Sequence, residues 1–478
     1  MGEPKSAYFE EELYDKFRNT PSTVNDDNKR RWIFPKMPSG KWHRYRLILG
    51  YTILLTFVAL PFIQYNGKPF FLVNIFDRKF IFFGQVYWPQ DIFIIVIGVL
   101  TLMVSIILFT VVYGRVFCGW TCPQTLFMEL VFRKIEYFFE GDYRQQMKLN
   151  SMPWNAEKIR KKGLKHLFFI FLSIFFGHVV MAYLVGMPRV LELISSNPLD
   201  NLAGFSGLVI FTGIFYLVFS QVREIVCTVI CPYGRLQGVL LNKESMVVAY
   251  DYNRGEPRGK IKKGEDNTQI GDCIDCKLCV HVCPTGIDIR NGTQMECINC
   301  TACIDECNSV MDKIKRPRGL IRFDSILGIE NKIPFKFTAR VAAYSLVLLV
   351  LLGAFGFFTT TRTDVETTVM RVPGQLYQKT DDGKISNLFN LQIVNKTFIE
   401  KSVRIELGEG FEGEIKIIGG DEIIVPAQGS VESVFFIETE EKNITEMKNK
   451  VNILVLEGDV VLTRDKTNFL GPVRIISQ

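Results

Sequence analysis

The chain has 478 residues, of which 48% are hydrophobic, and its mean hydropathy is +0.16. The formal net charge is only +6, which gives little support to a nucleic-acid-binding protein, because such proteins usually carry a strongly basic surface. The apolar residues fall in a few dense blocks, a pattern that favours a membrane protein over a soluble chain of several domains.

Residues 1–43 form a polar and charged segment. They lack the short apolar core and the small-residue cleavage site of a signal peptide. Basic residues lie at the end of the segment and directly ahead of the first apolar block, namely Lys41, Arg44 and Arg46. We therefore expect an uncleaved first helix whose N-terminus lies in the cytoplasm.

Five segments are long and apolar enough to cross a bilayer, whose core of about 30 Å takes about 20 helical residues. The predicted spans are residues 47–63, 92–113, 167–187, 204–222 and 339–358. The loops after the second and fourth spans are rich in Lys and Arg, which accumulate on the cytoplasmic side of membranes. We therefore expect a four-helix membrane bundle over residues 44–250, a fifth helix over 338–358, and a periplasmic C-terminal region.

Two Cys-x3-Cys-Pro motifs follow the second and fourth spans, and each comes after an arginine. The paired cysteines are Cys118 with Cys122, and Cys227 with Cys231. This recurrence predicts that spans one–two and three–four are two copies of one hairpin. If each motif is helical, its two thiols share a face; if each proline opens a new helix, the second thiol lies at a helix N-terminus.

The four membrane-edge thiols admit several occupants. Packed together, the two motifs would gather four soft sulfurs, and soft thiolates favour Cu(I), zinc and iron–sulfur clusters. The plainer interpretation is that they are ordinary buried cysteines, which behave as small hydrophobic residues.

Residues 251–337 hold the other eight cysteines, in two runs of Cys-x2-Cys-x2-Cys-x3-Cys. Pro284 follows the first run and Asn308 follows the second. In two-cluster ferredoxins the fourth cysteine of each run binds the other cluster. We therefore predict two [4Fe–4S] clusters, one on each of two sets of ligands. The first set is Cys273, Cys276, Cys279 and Cys307, and the second is Cys297, Cys300, Cys303 and Cys283.

Two other uses of these eight cysteines are disfavoured. Structural zinc sites use paired Cys-x2-Cys motifs, but here the ferredoxin spacing of the third and fourth cysteines occurs twice. Disulfides are rare on the reducing cytoplasmic side, where we place this region. The spacing therefore indicates a cytoplasmic ferredoxin domain that relays electrons.

Residues 359–478 change character and alternate between apolar and polar side chains. The alternating segments are 388–393, 403–407, 414–418, 422–425, 431–437 and 451–456. Short alternating segments separated by Gly, Pro, Asn and Asp predict a β-sandwich of immunoglobulin-like layout. The region has no cysteine and no evident catalytic group, so we expect a role in docking or binding.

The predicted fold is thus a polytopic α-helical membrane protein with a cytoplasmic two-cluster ferredoxin domain and a C-terminal periplasmic Ig-like β-sandwich. The order of these motifs, together with the Tyr250-Asp-Tyr-Asn-Arg254-Gly-Glu-Pro-Arg258-Gly segment, resembles the cytochrome c oxidase accessory protein family. That family is called CcoG, FixG or RdxA, and the resemblance covers essentially the whole chain. Asn308 is a departure, since in the usual ferredoxin pattern a proline follows the second cysteine run.

The resemblance implies a protein of the bacterial inner membrane that assists assembly of the cbb3-type oxidase. It implies an oxidoreductase that reduces Cu(II) to Cu(I), with oxidase assembly factors or a copper chaperone as partners. It assigns two [4Fe–4S] clusters to the eight ferredoxin cysteines, and four further cysteines occupy the family's membrane positions. Our own hypothesis is that copper, the expected substrate, is held at these positions and receives electrons from the clusters. Those positions are Cys118, Cys122, Cys227 and Cys231.

Two alternatives compete with a cupric reductase. The first is a quinol-oxidising, ferredoxin-type electron-transfer subunit in which copper has no part. The second is a non-enzymatic scaffold for oxidase assembly, whose clusters are structural or sensory. For a cupric reductase the sequence leaves the electron donor unidentified.

Overall fold

The structure is a computed structural model that describes residues 30–65, 68–75, 79–260, 270–332, 337–374, 376–420 and 422–472. The predicted N-terminal segment therefore lies outside the described residues up to residue 29. The chain forms two compact units. The first holds the described residues up to Ile63 together with Ile95–Phe355, and the second holds Gln64–Ile94 together with the chain from Gly356 onwards.

Five helices are long and apolar enough to cross a membrane, and each of the five predicted spans overlaps one of them. These helices are Lys41–Phe62, Ile92–Tyr113, Ala156–Val185, Leu202–Val222 and Ala339–Thr360. The third begins eleven residues earlier than predicted, because the Asn155 side chain caps it by accepting a hydrogen bond from the Lys158 amide at 2.9 Å. The chain is a multi-pass membrane protein.

A phenylalanine core joins the two predicted hairpins inside the first unit. Phe127 and Phe132 follow the first cysteine motif, and they pack on the third and fourth spans. The ring centroids of Phe127 and Phe176 are 4.7 Å apart, and Phe132 stacks on Phe219 at 4.8 Å. Such aromatic pairs stabilise a core beyond the area that they bury.

Short helices follow the second, third and fourth spans. They are Val116–Trp120, Pro123–Leu126 with a π-helical continuation Phe127–Phe132, Arg133–Glu140, Tyr143–Ser151, Met187–Ser195, the π-helical turn Val226–Ile230, and Pro232–Leu240. Both motif prolines, Pro123 and Pro232, open helices, so the second of the two local geometries weighed from the sequence is the one observed.

The ferredoxin region is built on one antiparallel strand pair, Val247–Tyr250 with Ile321–Asp324. Its helical elements are Tyr252–Gly255, Leu278–His281, Ile289–Asn291, Ala302–Lys313 and Ile326–Asn331. Alternate residues of the first strand face opposite sides, since Val248 and Tyr250 pack among the cysteines whereas Val247 and Ala249 pack against Ile329.

The C-terminal part of the second unit consists of two antiparallel sheets. One sheet has the order Glu414–Ile417, Ser430–Thr439, Ile385–Asn395, Val365–Arg371, with Gln378–Lys379 also paired to the third of these. The other has the order Ile423–Val425, Lys401–Leu407, Lys448–Glu457, Val460–Leu470. All six predicted segments overlap strands, and the prediction missed the outermost long strands Val365–Arg371 and Val460–Leu470.

Residues 64–94 belong to the second unit, whereas the sequence assigned all of residues 44–250 to the membrane bundle. They form the short strands Gln64–Tyr65, Lys68–Pro69, Phe71–Asn74, Lys79–Phe82 and Gln85–Tyr87, followed by the turn Pro89–Asp91. The physical reason for the grouping is a buried ion-pair network around Asp91. Its carboxylate lies 2.9 Å from the Arg362 guanidinium and 2.6 Å from the Lys396 ammonium, which also pairs with Glu366.

Candidate functional site

The eight ferredoxin cysteines line two separate cavities. Cys273, Cys276, Cys279 and Cys307 line one, which we call the first cluster cavity. Cys283, Cys297, Cys300 and Cys303 line the other, the second cluster cavity, which Cys279 also touches. The fourth cysteine of each run therefore faces the other run's cavity, which is the crossed arrangement that the sequence predicts.

The two cysteine loops share an unusual backbone. Asp275 and Lys277 have φ values of 51° and 56°, and the equivalent Asn299 and Thr301 have values of 50° and 64°. Non-glycine residues rarely adopt this left-handed conformation, and for a β-branched residue such as Thr301 it is a true outlier. Strain repeated at matching positions favours a shared functional constraint.

The donor set and its surroundings fit a [4Fe–4S] cluster in each cavity. The Cys283 sulfur lies 3.4 Å from the Thr285 hydroxyl, a polar contact that stabilises a thiolate ligand. Burial raises the pKa of the Cys300 thiol to about 11 and that of Cys307 to about 12, so both thiols keep their protons at neutral pH until iron displaces them.

The structure explains why asparagine, and not proline, follows the second cysteine run at position 308. Asn308 is the seventh residue of the helix Ala302–Lys313, and its side chain accepts a hydrogen bond from the Gly319 amide at 3.0 Å. Pro284, by contrast, follows a helix that ends at His281. Proline in a helix interior removes a backbone hydrogen bond and clashes with the preceding turn.

We expect Asn308→Pro to destabilise the helix by about 3 kcal/mol and to loosen Cys303 and Cys307, which lie on it. Asn308→Ala, which loses only the bond to Gly319, should cost about 1 kcal/mol. Iron content and thermal stability of the purified proteins measure both effects. Equal iron content and stability in the two variants would contradict a continuous helix at this position.

The four membrane-edge thiols lie close enough to one another for their charges to interact. Cys118 is within electrostatic range of Cys122 and Cys231, and Cys227 is within range of Cys122 and Cys118. Burial raises the pKa of the Cys118 thiol, and it raises that of Cys227 to about 12. The structure thus brings the two motifs together.

Gln237 joins the two motifs at this point. It is fully buried on the helix Pro232–Leu240, and its Oε1 accepts hydrogen bonds from the Cys118 thiol at 3.0 Å and from Arg115 Nε at 2.9 Å. Among the described residues, no group of three or more His, Cys, Asp or Glu side chains is placed to hold a single metal ion. This statement also covers the eight ferredoxin cysteines. They need not converge on one point, because a [4Fe–4S] cluster binds each thiolate through a different iron atom.

The first motif packs directly against the ligand loop of the second cluster cavity. Cys118 lies in one apolar cluster with Ile298 and Cys300. A Cβ atom added to Gly119 would lie 2.1 Å from the Ile298 carbonyl oxygen and 3.2 Å from the Cys300 amide nitrogen. Only glycine permits so close an approach of the two backbones.

Side-chain hydrogen bonds hold the first motif against the ligand loop of the second cluster cavity. Trp120 Nε1 donates to the Asn299 carbonyl at 3.1 Å, and Arg46 Nε donates to the Gly119 carbonyl at 2.7 Å. Arg115 donates to the Met295 carbonyl, and Asn299 Nδ2 donates to the Tyr113 carbonyl at 3.2 Å. Sequence reasoning missed these residues, although the glycine between Cys118 and Trp120 is the kind of signal that marks a close backbone approach.

A buried ion-pair network lies next to the motifs. Arg223, at the end of the fourth span, donates to both oxygens of Glu136 at 2.6 and 2.9 Å, and Lys165 lies 3.6 Å from the same carboxylate. Arg133 pairs with Glu129 and lies 3.4 Å from the Pro284 carbonyl, directly after a cluster cysteine. The network therefore connects the bundle to the second cluster cavity.

Three family models match the chain. A "4Fe-4S dicluster domain" matches residues 222–326, and a "4Fe-4S binding domain" matches residues 95–141, which contain only Cys118 and Cys122 as cysteines. A model described as an IG-like fold at the C-terminus of FixG matches residues 355–472.

Several known proteins are similar to the chain. Protein RdxB of Cereibacter sphaeroides is 32% identical, with 92% of each chain covered. Nitrogen fixation protein FixG of Rhizobium meliloti is 36% identical over 62% of this chain and 58% of that protein, and Protein RdxA of Cereibacter sphaeroides is 32% identical over 78% and 81%. A crystal structure of a FixG-related protein from Vibrio parahaemolyticus covers 23% of this chain and 97% of that one, at 13% identity and a TM-score of 0.20.

Proposed function

The chain belongs to the FixG/RdxA family of iron–sulfur electron-transfer proteins, and on that basis we propose that it reduces Cu(II) to Cu(I) for assembly of a cbb3-type cytochrome oxidase. The observation that carries this proposal is the contact of the Cys118 motif with the ligand loop of the second cluster cavity. A thiol site so close to a cluster is placed to exchange electrons with it.

The proposed function uses two sites, the iron–sulfur clusters and a copper site. In our assignment Cys273, Cys276, Cys279 and Cys307 hold one [4Fe–4S] cluster, and Cys283, Cys297, Cys300 and Cys303 hold the other. Each cluster supplies a site that takes up and gives back one electron. Three of these cysteines, Cys273, Cys279 and Cys300, are buried, whereas Cys276 at the first cluster cavity is exposed to solvent.

The membrane-edge thiols are the proposed copper site. Soft sulfur ligands stabilise Cu(I) more than Cu(II), so binding at Cys118, Cys122, Cys227 and Cys231 favours the reduced product. Because the thiols of Cys118 and Cys227 are protonated at neutral pH, copper binding must release protons.

An iron–sulfur cluster is the second candidate occupant of these thiols. The match of residues 95–141 to a 4Fe-4S binding domain favours it, because that segment contributes two cysteines and the second motif contributes two more. Iron content distinguishes the two occupants: two clusters give about eight iron atoms per chain and three give about twelve.

The proposed setting is the bacterial inner membrane. The basic loops after the second and fourth spans support a cytoplasmic N-terminus and ferredoxin domain, with the Ig-like domain in the periplasm. Oxidase assembly factors or a copper chaperone are the proposed partners of the reduced copper.

We predict that the double variant Cys118→Ser and Cys122→Ser loses nearly all Cu(II) reduction while keeping its clusters. Serine can still donate to Gln237, so the change removes the soft sulfur and little else. The anaerobic, pre-reduced protein is mixed with Cu(II) and a Cu(I)-specific chelator, and cluster oxidation and Cu(I) formation are followed together.

Thr228→Ala is the matched control, because it lies in the second motif but carries no thiol. The control and the parent should both form Cu(I) in proportion to the electrons stored. Clusters that stay reduced in the presence of copper, in parent and variant alike, would overturn the proposal. Iron content near eight in both proteins would exclude a third cluster at the thiols.

A further inference from the structure

A cavity of about 660 Å³ lies behind the strand Val247–Tyr250, on the side away from the clusters. Its buried floor is apolar and includes Val247, Ala249 and Ile329. Polar side chains, among them Tyr252 and Glu330, line the rest. Its lining includes none of the cysteines assigned to the clusters or to copper.

Only one layer of side chains separates this cavity from the first cluster cavity. Tyr250 and Arg290 line both spaces. The Tyr250 hydroxyl is within hydrogen-bond range of the Cys273 sulfur and donates to Glu256 at 3.2 Å. The charge of Arg290 acts on Cys279. A redox-active molecule in the cavity would therefore lie beside a cluster and out of contact with the copper thiols.

The cavity lies level with the end of a membrane span. The Met246 amide, next to Val247, donates to the Val112 carbonyl at 2.8 Å, and Ser245 Oγ donates to the Val111 carbonyl at 2.7 Å. Val111 and Val112 are in the last turn of the second span. A cavity at this level is suited to a lipid-soluble molecule.

The chemistry of the lining selects among two-electron donors. A nicotinamide dinucleotide needs several donors to cradle its phosphates. Two cations line the cavity, Lys243 and Arg290, but the guanidinium of Arg290 is already paired with Asp275 at 2.5 Å and Asp288 at 2.7 Å, which leaves a single lysine. A hydroquinone needs an apolar surface to pack against its ring and hydrogen-bond acceptors for its two hydroxyl groups. The apolar floor supplies the first, and the hydrogen-bonded pair of Tyr252 and Glu330 supplies the second.

We propose that this cavity binds a membrane hydroquinone as the electron donor of the protein. Oxidation of one hydroquinone to the quinone releases two electrons and two protons. Each electron reduces one of the two clusters by one unit of charge. One proton passes to the Glu330 carboxylate and the other to water at the cavity mouth. The inference rests on the proposed function only for the fate of the electrons afterwards.

The test measures binding and reduction separately. The parent protein with its clusters should bind decylubiquinone in a calorimetric titration, and anaerobic decylubiquinol should bleach the cluster absorbance. Ala249→Phe fills the floor of the cavity and should weaken binding at least about tenfold. Glu330→Gln should keep binding within about twofold and slow bleaching on the order of 100-fold, because it removes the proton acceptor.

Ala342→Phe, an exposed position on the fifth span, is the matched control and should behave as the parent does. Absence of decylubiquinone binding in the parent, or equal binding in Ala249→Phe, would overturn the inference. Dithionite-reduced Ala249→Phe should still reduce copper. Loss of copper reduction in every dithionite-reduced protein, with quinol bleaching intact in the parent, would instead overturn the proposed function and leave the donor site standing.

Discussion

Gly119→Ala is expected to slow electron delivery to copper by roughly 10- to 100-fold without removing the clusters, the range that a displacement of about 1 Å produces at a reacting site. The added methyl group would lie 2.1 Å from the Ile298 carbonyl oxygen, a backbone atom held by the cluster loop. The first motif must therefore move away from the second cluster cavity. The rate of Cu(II)-dependent cluster oxidation measures the effect.

Gly163→Ala is the matched control, because no atom lies within 4 Å of the added methyl group. Should Gly119→Ala fail to fold, Trp120→Phe offers a milder test, since it keeps the ring but loses the hydrogen bond to Asn299. Unchanged rates in Gly119→Ala and Trp120→Phe, each with full iron content, would show that the contact has no part in electron delivery.

Glu136→Gln is expected to cost about 3 kcal/mol of stability, because it leaves the buried Arg223 guanidinium with only the more distant Glu224 carboxylate, at 3.5 Å, as a counter-charge. Burial alone raises the pKa of the Glu136 carboxyl, but Arg223 and then Lys165 outweigh burial and lower the pKa to about 2. The free energy of unfolding is measured by denaturant titration in detergent, with the cluster absorbance as the probe of the folded state.

The same ion pair gives stability a pH dependence with a definite sign. The folded pKa of Glu136 lies below its ordinary value of 4.5, so the stabilisation is complete above that pH and is lost as the pH falls towards 2. Glu157→Gln, which removes an exposed pair with Lys161, should change stability little. A loss in Glu136→Gln no larger than in this control would rule out a structural role for the network.

The membrane spans and the assignment of cysteines to the two cluster cavities were predictable, because each depends on the local spacing of residues. A span needs about 20 apolar residues whatever its neighbours are, and the crossed arrangement of Cys283 and Cys307 follows from two identical runs. Asn308 looked like a defect in that pattern. It is instead a residue that lets a helix continue, which only the helix bounds reveal.

The contacts between distant segments were not predictable in the same way. Nothing local to Asn299 indicates that it binds the end of the second span, and nothing local to Ala249 indicates a cavity behind its strand. The hairpins of residues 64–94 are short and weakly patterned, so hydropathy alone could not assign them to the second unit.

The ion pairs of Asp91 set a limit on how early in synthesis this part of the chain can finish folding. Its partners Arg362 and Lys396 follow it by 271 and 305 residues, so ribosomes must synthesise more than half of the protein before either cation exists. Until then this carboxylate must stay hydrated, because burying it alone would be costly. The short strands before it can pack on one another early, through Leu72, Ile81 and Val86, but the turn that carries Asp91 completes its packing only late in biosynthesis.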